Sequence, residues 1–290
     1  GLTYQGGSSN DGILFEFLLS NDSFYKRHDF DGSSSGRNPF GSLFQASNGL
    51  MYGMTYQGGA NNFGVIFSFD PSTNIFDHRI DFDGSNSGSN PYSTFAQGTN
   101  GNLYAMTYLG GSNNLGTLFE YDISNNTINK KLDFNGTNNG RNPFGNLTLA
   151  NNGLFYAQTP YGGANNAGTI FSFDPSNNSY AKKLDFSSGS QGRLPFGSLF
   201  LASNQTFYGM TYQGGTSNSG VLFQYNPSNS SYIKKIDFNS ALNGSNPYGD
   251  LCLANNLKLY GMTYQGGTQN AGVIFEFDPK KNKYSKKFDL

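Results

Sequence analysis

A chain of 290 residues with 13% charged and 16% aromatic side chains and 39 glycines is poor in helix formers and rich in strand and turn formers. That composition argues against helical bundles and coiled coils, and the aromatic content argues against disorder. A formal net charge of −1 supplies no basic face for nucleic acid, and the apolar runs are too short to form a membrane-spanning helix.

The tract Thr3-Tyr4-Gln5-Gly6-Gly7 has counterparts starting at Thr55, Thr107, Thr159, Thr211 and Thr263, always 52 residues apart. Gly6, Gly7, Asn10, Gly12, Phe15 and Asp29 keep their register in every copy. Within residues 38–82 the pattern predicts four strands. Phe40 to Ala46 is the first, and Ser47-Asn48-Gly49 is a hairpin signal. Leu50 to Tyr56 is the second, ended by Gly58-Gly59, and the alternating Val65 to Phe69 is the third. Asp70-Pro71-Ser72-Thr73-Asn74 is a turn, Ile75 to Phe82 is the fourth strand, and a polar run from Asp83 to Asn90 leads onward.

Six four-stranded units of this length predict an all-β fold, a six-bladed β-propeller in a single 1–290 domain. The units run over about 1–37, 38–89, 90–141, 142–193, 194–245 and 246–290. A solenoid would need polar caps at both ends, which the sequence does not show. Gly1 aligns with Gly53, so the first unit lacks its first strand. A segment preceding Gly1 is the preferred explanation; an imperfect ring and a strand donated by another chain stay open. The missing initial Met predicts a removed leader or a trimmed chain.

The motifs have structural readings. The double glycine ends a strand; no helix follows it, and it lacks the Gly-Lys-Ser/Thr of a phosphate loop. Asn10 and its mates predict an Asx-type turn. Asp29, Asp81, Asp133, Asp185, Asp237 and Asp289 are expected to cap turns of their own blades. Asp29-Phe30-Asp31-Gly32 only begins like a calcium loop, without the later Glu. The pairs Lys26-Arg27, Lys130-Lys131, Lys182-Lys183, Lys234-Lys235 and Lys286-Lys287 fall on the fourth, outermost strand, where charge discourages edge pairing. Phe15 and its five equivalents, with Phe24, Phe76, Tyr180, Tyr232 and Tyr284, are expected to pack between blades. Among the Asn-X-Ser/Thr sequons, Asn125, Asn177 and Asn229 share one hairpin register.

The order strand, Gly-Gly, strand, Asp-Pro-x-x-Asn, aromatic resembles a kelch repeat, as in Phe173-Asp174-Pro175 through Tyr180, although Trp is missing. The chain is more similar to the Gloeo/Verruco repeat of bacterial secreted proteins. Gly88-Ser89-Asn90-Pro91-Tyr92, Asn100-Gly101-Asn102-Leu103-Tyr104, Gly110-Gly111 and Gly116-Thr117-Leu118-Phe119 carry that resemblance over essentially the whole chain. It implies a propeller-like, exported protein and specifies no reaction.

The expected function is therefore a non-enzymatic, secreted or surface-exposed structural or binding module for protein or glycan, including a subunit of an extracellular assembly by self-association. Arg37, Arg141 and Arg193, and the tyrosines Tyr4, Tyr56, Tyr108, Tyr212 and Tyr264, expected to be exposed, are the candidate binding residues. No catalytic residue, metal or cofactor is expected, nor nucleic acid or membrane insertion. The alternative is a glycan-active hydrolase or lyase, which requires one unit to break symmetry with paired acids. Glu16, Glu120 and Glu276 share a register but give way to Ser68, Ser172 and Gln224 in the other copies. Cys252, the single cysteine, is expected on an innermost strand, and His28 and His78 leave little for catalysis.

Overall fold

A computed structural model describes residues 1–187 and 189–290 and resolves two compact units, Gly1–Phe134 and Asn135–Leu290. Each holds three antiparallel sheets of the six-bladed β-propeller type. In the first unit, blade 1 has three strands, β1 (Leu2–Thr3), β2 (Ile13–Leu18) and β3 (Ser23–Asp29). Blade 2 is β4 (Phe44–Gln45), β5 (Met51–Met54), β6 (Val65–Asp70) and β7 (Ile75–Asp81), and blade 3 is β8 (Ala96–Gln97), β9 (Leu103–Thr107), β10 (Thr117–Asp122) and β11 (Thr127–Asp133).

The second unit repeats the plan. Blade 4 is β12 (Thr148–Leu149), β13 (Phe155–Thr159), β14 (Thr169–Asp174) and β15 (Ser179–Asp185). Blade 5 is β16 (Phe200–Leu201), β17 (Phe207–Thr211), β18 (Val221–Asn226) and β19 (Ser231–Asp237). A single helical turn, α1 (Ser240–Asn243), precedes blade 6, which is β20 (Cys252–Leu253), β21 (Leu259–Met262), β22 (Val273–Asp278) and β23 (Lys283–Asp289).

The first strand of blades 2 to 6 is shorter than expected. Only Phe44 and Gln45 pair within Phe40 to Ala46. Upstream of them the chain hydrogen-bonds sideways instead: Ser42 N–H donates to Thr94 Oγ1 of the next blade at 2.9 Å. The other strands stop within a few residues of the predicted limits, which is ordinary for strand ends. Each third strand shifts register against the fourth near its start, as between Ile66 and Phe67, a β-bulge that the hydrophobic alternation does not reveal.

Turn chemistry explains the spacing. Asn74 is left-handed (φ 60°) and Asp70 Oδ1 accepts from Ser72 N–H at 2.8 Å, which closes the outer hairpin. Asn62 is also left-handed (φ 57°), and its Oδ1 accepts from Gly58 N–H at 3.2 Å, so the repeated Asn closes the double-glycine loop backwards rather than by the Asx turn expected. Asp133 accepts from Ser112 N–H at 3.0 Å and Asp237 from Thr216 N–H at 3.0 Å, the own-blade capping that the repeated Asp predicted. Burial alone would raise both carboxyls. The loop donors and the neighbouring Lys130 and Lys234 outweigh it and hold them below the usual range.

Those lysines lie on the outermost strands as expected, but they are not free charges. Lys130–Asp133 (2.9 Å), Lys182–Asp185 (2.7 Å) and Lys286–Asp289 (2.8 Å) are ion pairs within a strand. His28 stacks on Phe76 at 3.6 Å, and burial pushes its pKa down.

Blades pack ring against ring. Phe67, Phe119 and Phe223 are fully buried. The phenylalanine after the closing Asp of blades 1 to 5, which the sequence reading passed over, supplies the wedge: Phe30 meets Phe67 at 5.3 Å, Phe82 meets Phe119 at 5.4 Å, and Phe238 meets Phe275 at 5.4 Å. Tyr232 and Tyr284 add hydrogen bonds from their hydroxyls to the Gln191 and Asn243 carbonyls, 41 residues upstream. The small residue facing each third-strand Phe (Gly53, Ala105, Ala157, Gly209 or Gly261) leaves room for its ring.

Candidate ligand-binding face

Two sequence tracts meet at one end of each blade: the Thr-Tyr tract after the second strand, and the Asn-Pro-aromatic tract before the first. The asparagine clamps them. Asn90 is left-handed (φ 56°), its Nδ2 donates to the Tyr56 carbonyl of the preceding blade at 3.0 Å, and its own carbonyl accepts from Tyr108 N–H at 3.1 Å. Asn38 donates to the Tyr4 carbonyl at 2.9 Å and accepts from Tyr56 N–H at 3.2 Å. Asn246 does the same between Tyr212 (2.9 Å) and Tyr264 (3.2 Å). The single glycine of the unit makes room for this corner: Gly64 has φ +99°, and a Cβ there would press on Pro91 Cδ at 3.2 Å.

Each clamp holds tyrosines of neighbouring blades around the aromatic that follows proline. In the first unit the rings form a run: Tyr4–Phe40 at 6.0 Å, Phe40–Tyr92 at 4.5 Å, Tyr92–Tyr56 at 4.7 Å and Tyr92–Tyr108 at 5.2 Å. Most of these contacts are edge-on or tilted, the favourable arrangement for aromatic quadrupoles. Tyr4 is 45% and Phe40 47% exposed, so the run opens to solvent at that end. Burial, then the hydrogen bond with Tyr56, raises the pKa of Tyr92, which keeps its hydroxyl protonated at neutral pH.

In the second unit Phe196 is the hub, 4.7 Å from Tyr248, 5.7 Å from Tyr212, and 5.8 Å from both Phe144 and Tyr161. Tyr248 and Tyr264 are exposed.

The structure thus brings Tyr4, Tyr56 and Tyr108 together in one unit and places Tyr212 in the ring cluster of the other. Tyr56, Tyr108 and Tyr212 are half-buried rather than exposed, because neighbouring rings cover them. Phe40, Tyr92, Phe144, Phe196 and Tyr248 complete the clusters and were missed. The available signal was an aromatic after every Asn-Pro or Leu-Pro. Blade 4 moves its ring by one position, from the expected site now held by Pro160 to Tyr161.

The arginines do different work. Arg37 donates from Nη2 to Asn62 Oδ1 at 3.0 Å, bracing the double-glycine loop, and its backbone bridges to Gln57. Arg141 does the same to Asn166 at 3.3 Å while lying 5.5 Å from the Tyr161 ring centre, at the margin of the second cluster. Arg193 bridges to Gln213 through its backbone.

Away from this face, Glu120 is nearly buried and accepts from Tyr104 Oη (2.7 Å), Asn102 Nδ2 (2.8 Å) and Asn100 Nδ2 (2.9 Å), with Lys131 Nζ at 2.8 Å. Burial is the largest single influence and raises its pKa, but these donors together hold it at about 2. Glu276 repeats the arrangement with Tyr260, Lys258 and Lys287. Among the described residues, no group of three His, Cys, Asp or Glu side chains converges as a metal site. No helix is long and apolar enough to cross a membrane.

The Gloeobacter/Verrucomicrobia repeat matches residues 1–161 and 135–290, which together take in the whole chain. The chain belongs to this repeat family. A search of curated proteins finds no match. Among solved structures, this member of the family is similar to TolB from Acinetobacter baumannii at 10% identity and a TM-score of 0.54, over 95% of this chain and 59% of TolB. It is also similar, at 13% identity and a TM-score of 0.50, to a Bacteroides uniformis protein provisionally described as a 6-phosphogluconolactonase, over 99% of this chain and 94% of that one. The repeat chain therefore spans less than two thirds of TolB's length. At these identities the likeness is one of propeller fold.

Proposed function

We propose that this repeat protein is a non-enzymatic binding module that works outside the cytoplasm, secreted or displayed at the cell surface, and takes glycan ligands on its aromatic face. One observation carries the reading: the continuous run of rings from Tyr108 through Tyr92, Tyr56 and Phe40 to Tyr4, open to solvent at its Tyr4–Phe40 end. Sugar rings present C–H faces that pack on aromatic faces, while tyrosine hydroxyls meet sugar hydroxyls, so one surface satisfies both halves of an amphipathic ligand. The protonated state of Tyr92 suits that role.

A glycan array probed with the intact chain, alongside assays for new reducing ends, tests the proposal. Retention of one glycan class, weakened at least tenfold by Tyr4→Ala with Phe40→Ala, and no cleavage of the retained glycan are expected. Cleavage would replace the reading with a hydrolase or lyase, and binding indifferent to the ring changes would refute the aromatic face.

A further inference from the structure

Both units carry ring clusters, but the loops around the rings differ in charge. In the first unit these loops, residues 3–12, 30–42, 55–64, 82–94 and 107–116, contain three carboxylates, Asp11, Asp31 and Asp83, and one cation, Arg37. In the second unit they are residues 135–147, 159–168, 187 with 189–198, 211–220, 239–250 and 263–272, and they contain two cations, Arg141 and Arg193, and one carboxylate, Asp250. Asn135, Ser187 and Asn239 stand where the first unit has Asp31 and Asp83, and Ala167 and Ser219 stand where it has Asp11. The carboxylates near the second cluster are already engaged. Asp185 accepts from Ala164 N–H (3.0 Å) and pairs with Lys182 (2.7 Å), Asp237 accepts from Thr216 N–H (3.0 Å) and pairs with Lys234 (2.5 Å), and Asp250 accepts from Ser198 Oγ (3.0 Å).

The two arginines border the rings and keep donors in hand. Arg141 lies 5.5 Å from the Tyr161 ring centre and gives one Nη2 hydrogen to Asn166, which leaves Nε and Nη1 without a partner among the described residues. Arg193 is fixed beside Tyr212 by backbone hydrogen bonds with Gln213 (2.7 and 3.1 Å). It is half-buried, and among the described residues its guanidinium has no hydrogen bond or ion pair. Arg37 differs, because Asp11 comes with it: a Cβ on Gly32 would stand 3.0 Å from Asp11 Oδ2 and 3.8 Å from Arg37 Cδ. Between the second unit's arginines Phe144, Phe196 and Tyr248 meet as a triangle of rings with centres 4.7 to 5.8 Å apart.

We infer that the ring cluster of the second unit takes an acidic glycan, with uronate carboxylates held by Arg141 and Arg193 and sugar rings resting on Phe196 and Tyr248. The inference rests on the glycan-binding reading above and adds the charge of the ligand to it. A guanidinium fork matches a carboxylate with two parallel hydrogen bonds, which a neutral sugar of the same shape cannot accept as strongly. Neighbouring rings exclude water and strengthen that contact. The acidic loops of the first unit disfavour the same ligand.

Oligomers of galacturonate and of mannuronate, each beside its methyl ester, titrated calorimetrically into the intact chain provide the test. At least one acid should bind at least tenfold more tightly than its ester, and the preference should shrink as salt rises. The double variant Arg141→Gln with Arg193→Gln, checked for folding by circular dichroism, should bring the preference to within about twofold. Arg141→Lys with Arg193→Lys should retain part of it, because the charge stays and the fork is lost. The readout is a ratio within one protein, so a general weakening from disturbed loops does not mimic it. Equal binding of acid and ester by the wild-type chain would overturn the inference and leave the glycan reading standing. A preference that the double glutamine variant keeps, or binding of neither form, would also overturn it, and the glycan array then decides separately whether the aromatic face binds sugars.

Discussion

Glu120→Gln removes one negative charge from a nearly buried site and leaves its four donors, Tyr104, Asn100, Asn102 and Lys131, in place. A carboxylate held at about 2 instead of its usual 4.5 contributes roughly 3 kcal/mol at neutral pH. The folded-state value is depressed, so that contribution is complete above the unfolded value and is lost as pH falls from about 5 toward 2. Glutamine keeps an acceptor oxygen for the neutral donors but turns an amide toward the Lys131 ammonium, so most of the contribution should disappear. Urea unfolding followed by tyrosine emission, practical because the chain has no Trp, should show the variant less stable by about 2–3 kcal/mol at pH 7. The gap should narrow to about 1 kcal/mol by pH 2.5 and close only below pH 2. An equal gap at pH 7 and pH 2.5 would refute the electrostatic account and assign the loss to packing.

Two backbone and packing tests follow from the repeat geometry. Phe238→Ala empties a fully buried wedge between blades 5 and 6 and should cost about 3–5 kcal/mol in the same unfolding assay. Gly58→Ala puts a Cβ 2.5 Å from the Gly32 carbonyl at φ +84°, whereas Gly49→Ala, at φ +86°, enters open space. The second should lose only the left-handed penalty of about 1–2 kcal/mol and the first clearly more, read as melting temperatures of the two variants.

Much of the fold was legible because the repeat is strict. A Gly-Gly pair, a left-handed Asn and a closing Asp recurring in one register have few structural solutions, and three of the four strands per blade follow from alternation and turn residues. The first strand was over-read. Alternation cannot tell a strand that pairs from a segment that hydrogen-bonds sideways to the next blade through Ser42 or Asn146. The bulge beside Phe67 and the wedge role of Phe82 were hidden for a similar reason, since both depend on a neighbour in space. The tyrosines of the candidate face could be picked from the sequence, but their partners Phe40, Tyr92 and Phe196 sit after prolines, where an aromatic reads as core. The arginines stood out by varying between units, and the structure gives Arg37 and Arg141 the task of bracing a double-glycine loop from the side chain.

The most direct test of the binding face labels all 19 tyrosines with 3-fluorotyrosine and follows their ¹⁹F resonances during titration with a glycan retained on the array. Shifts confined to resonances that single Tyr→Phe changes assign to Tyr4, Tyr56, Tyr92 and Tyr108, or to Tyr161, Tyr212 and Tyr248, are predicted. Shifts at the interblade residues Tyr180, Tyr232 and Tyr284, with these rings silent, would contradict the account.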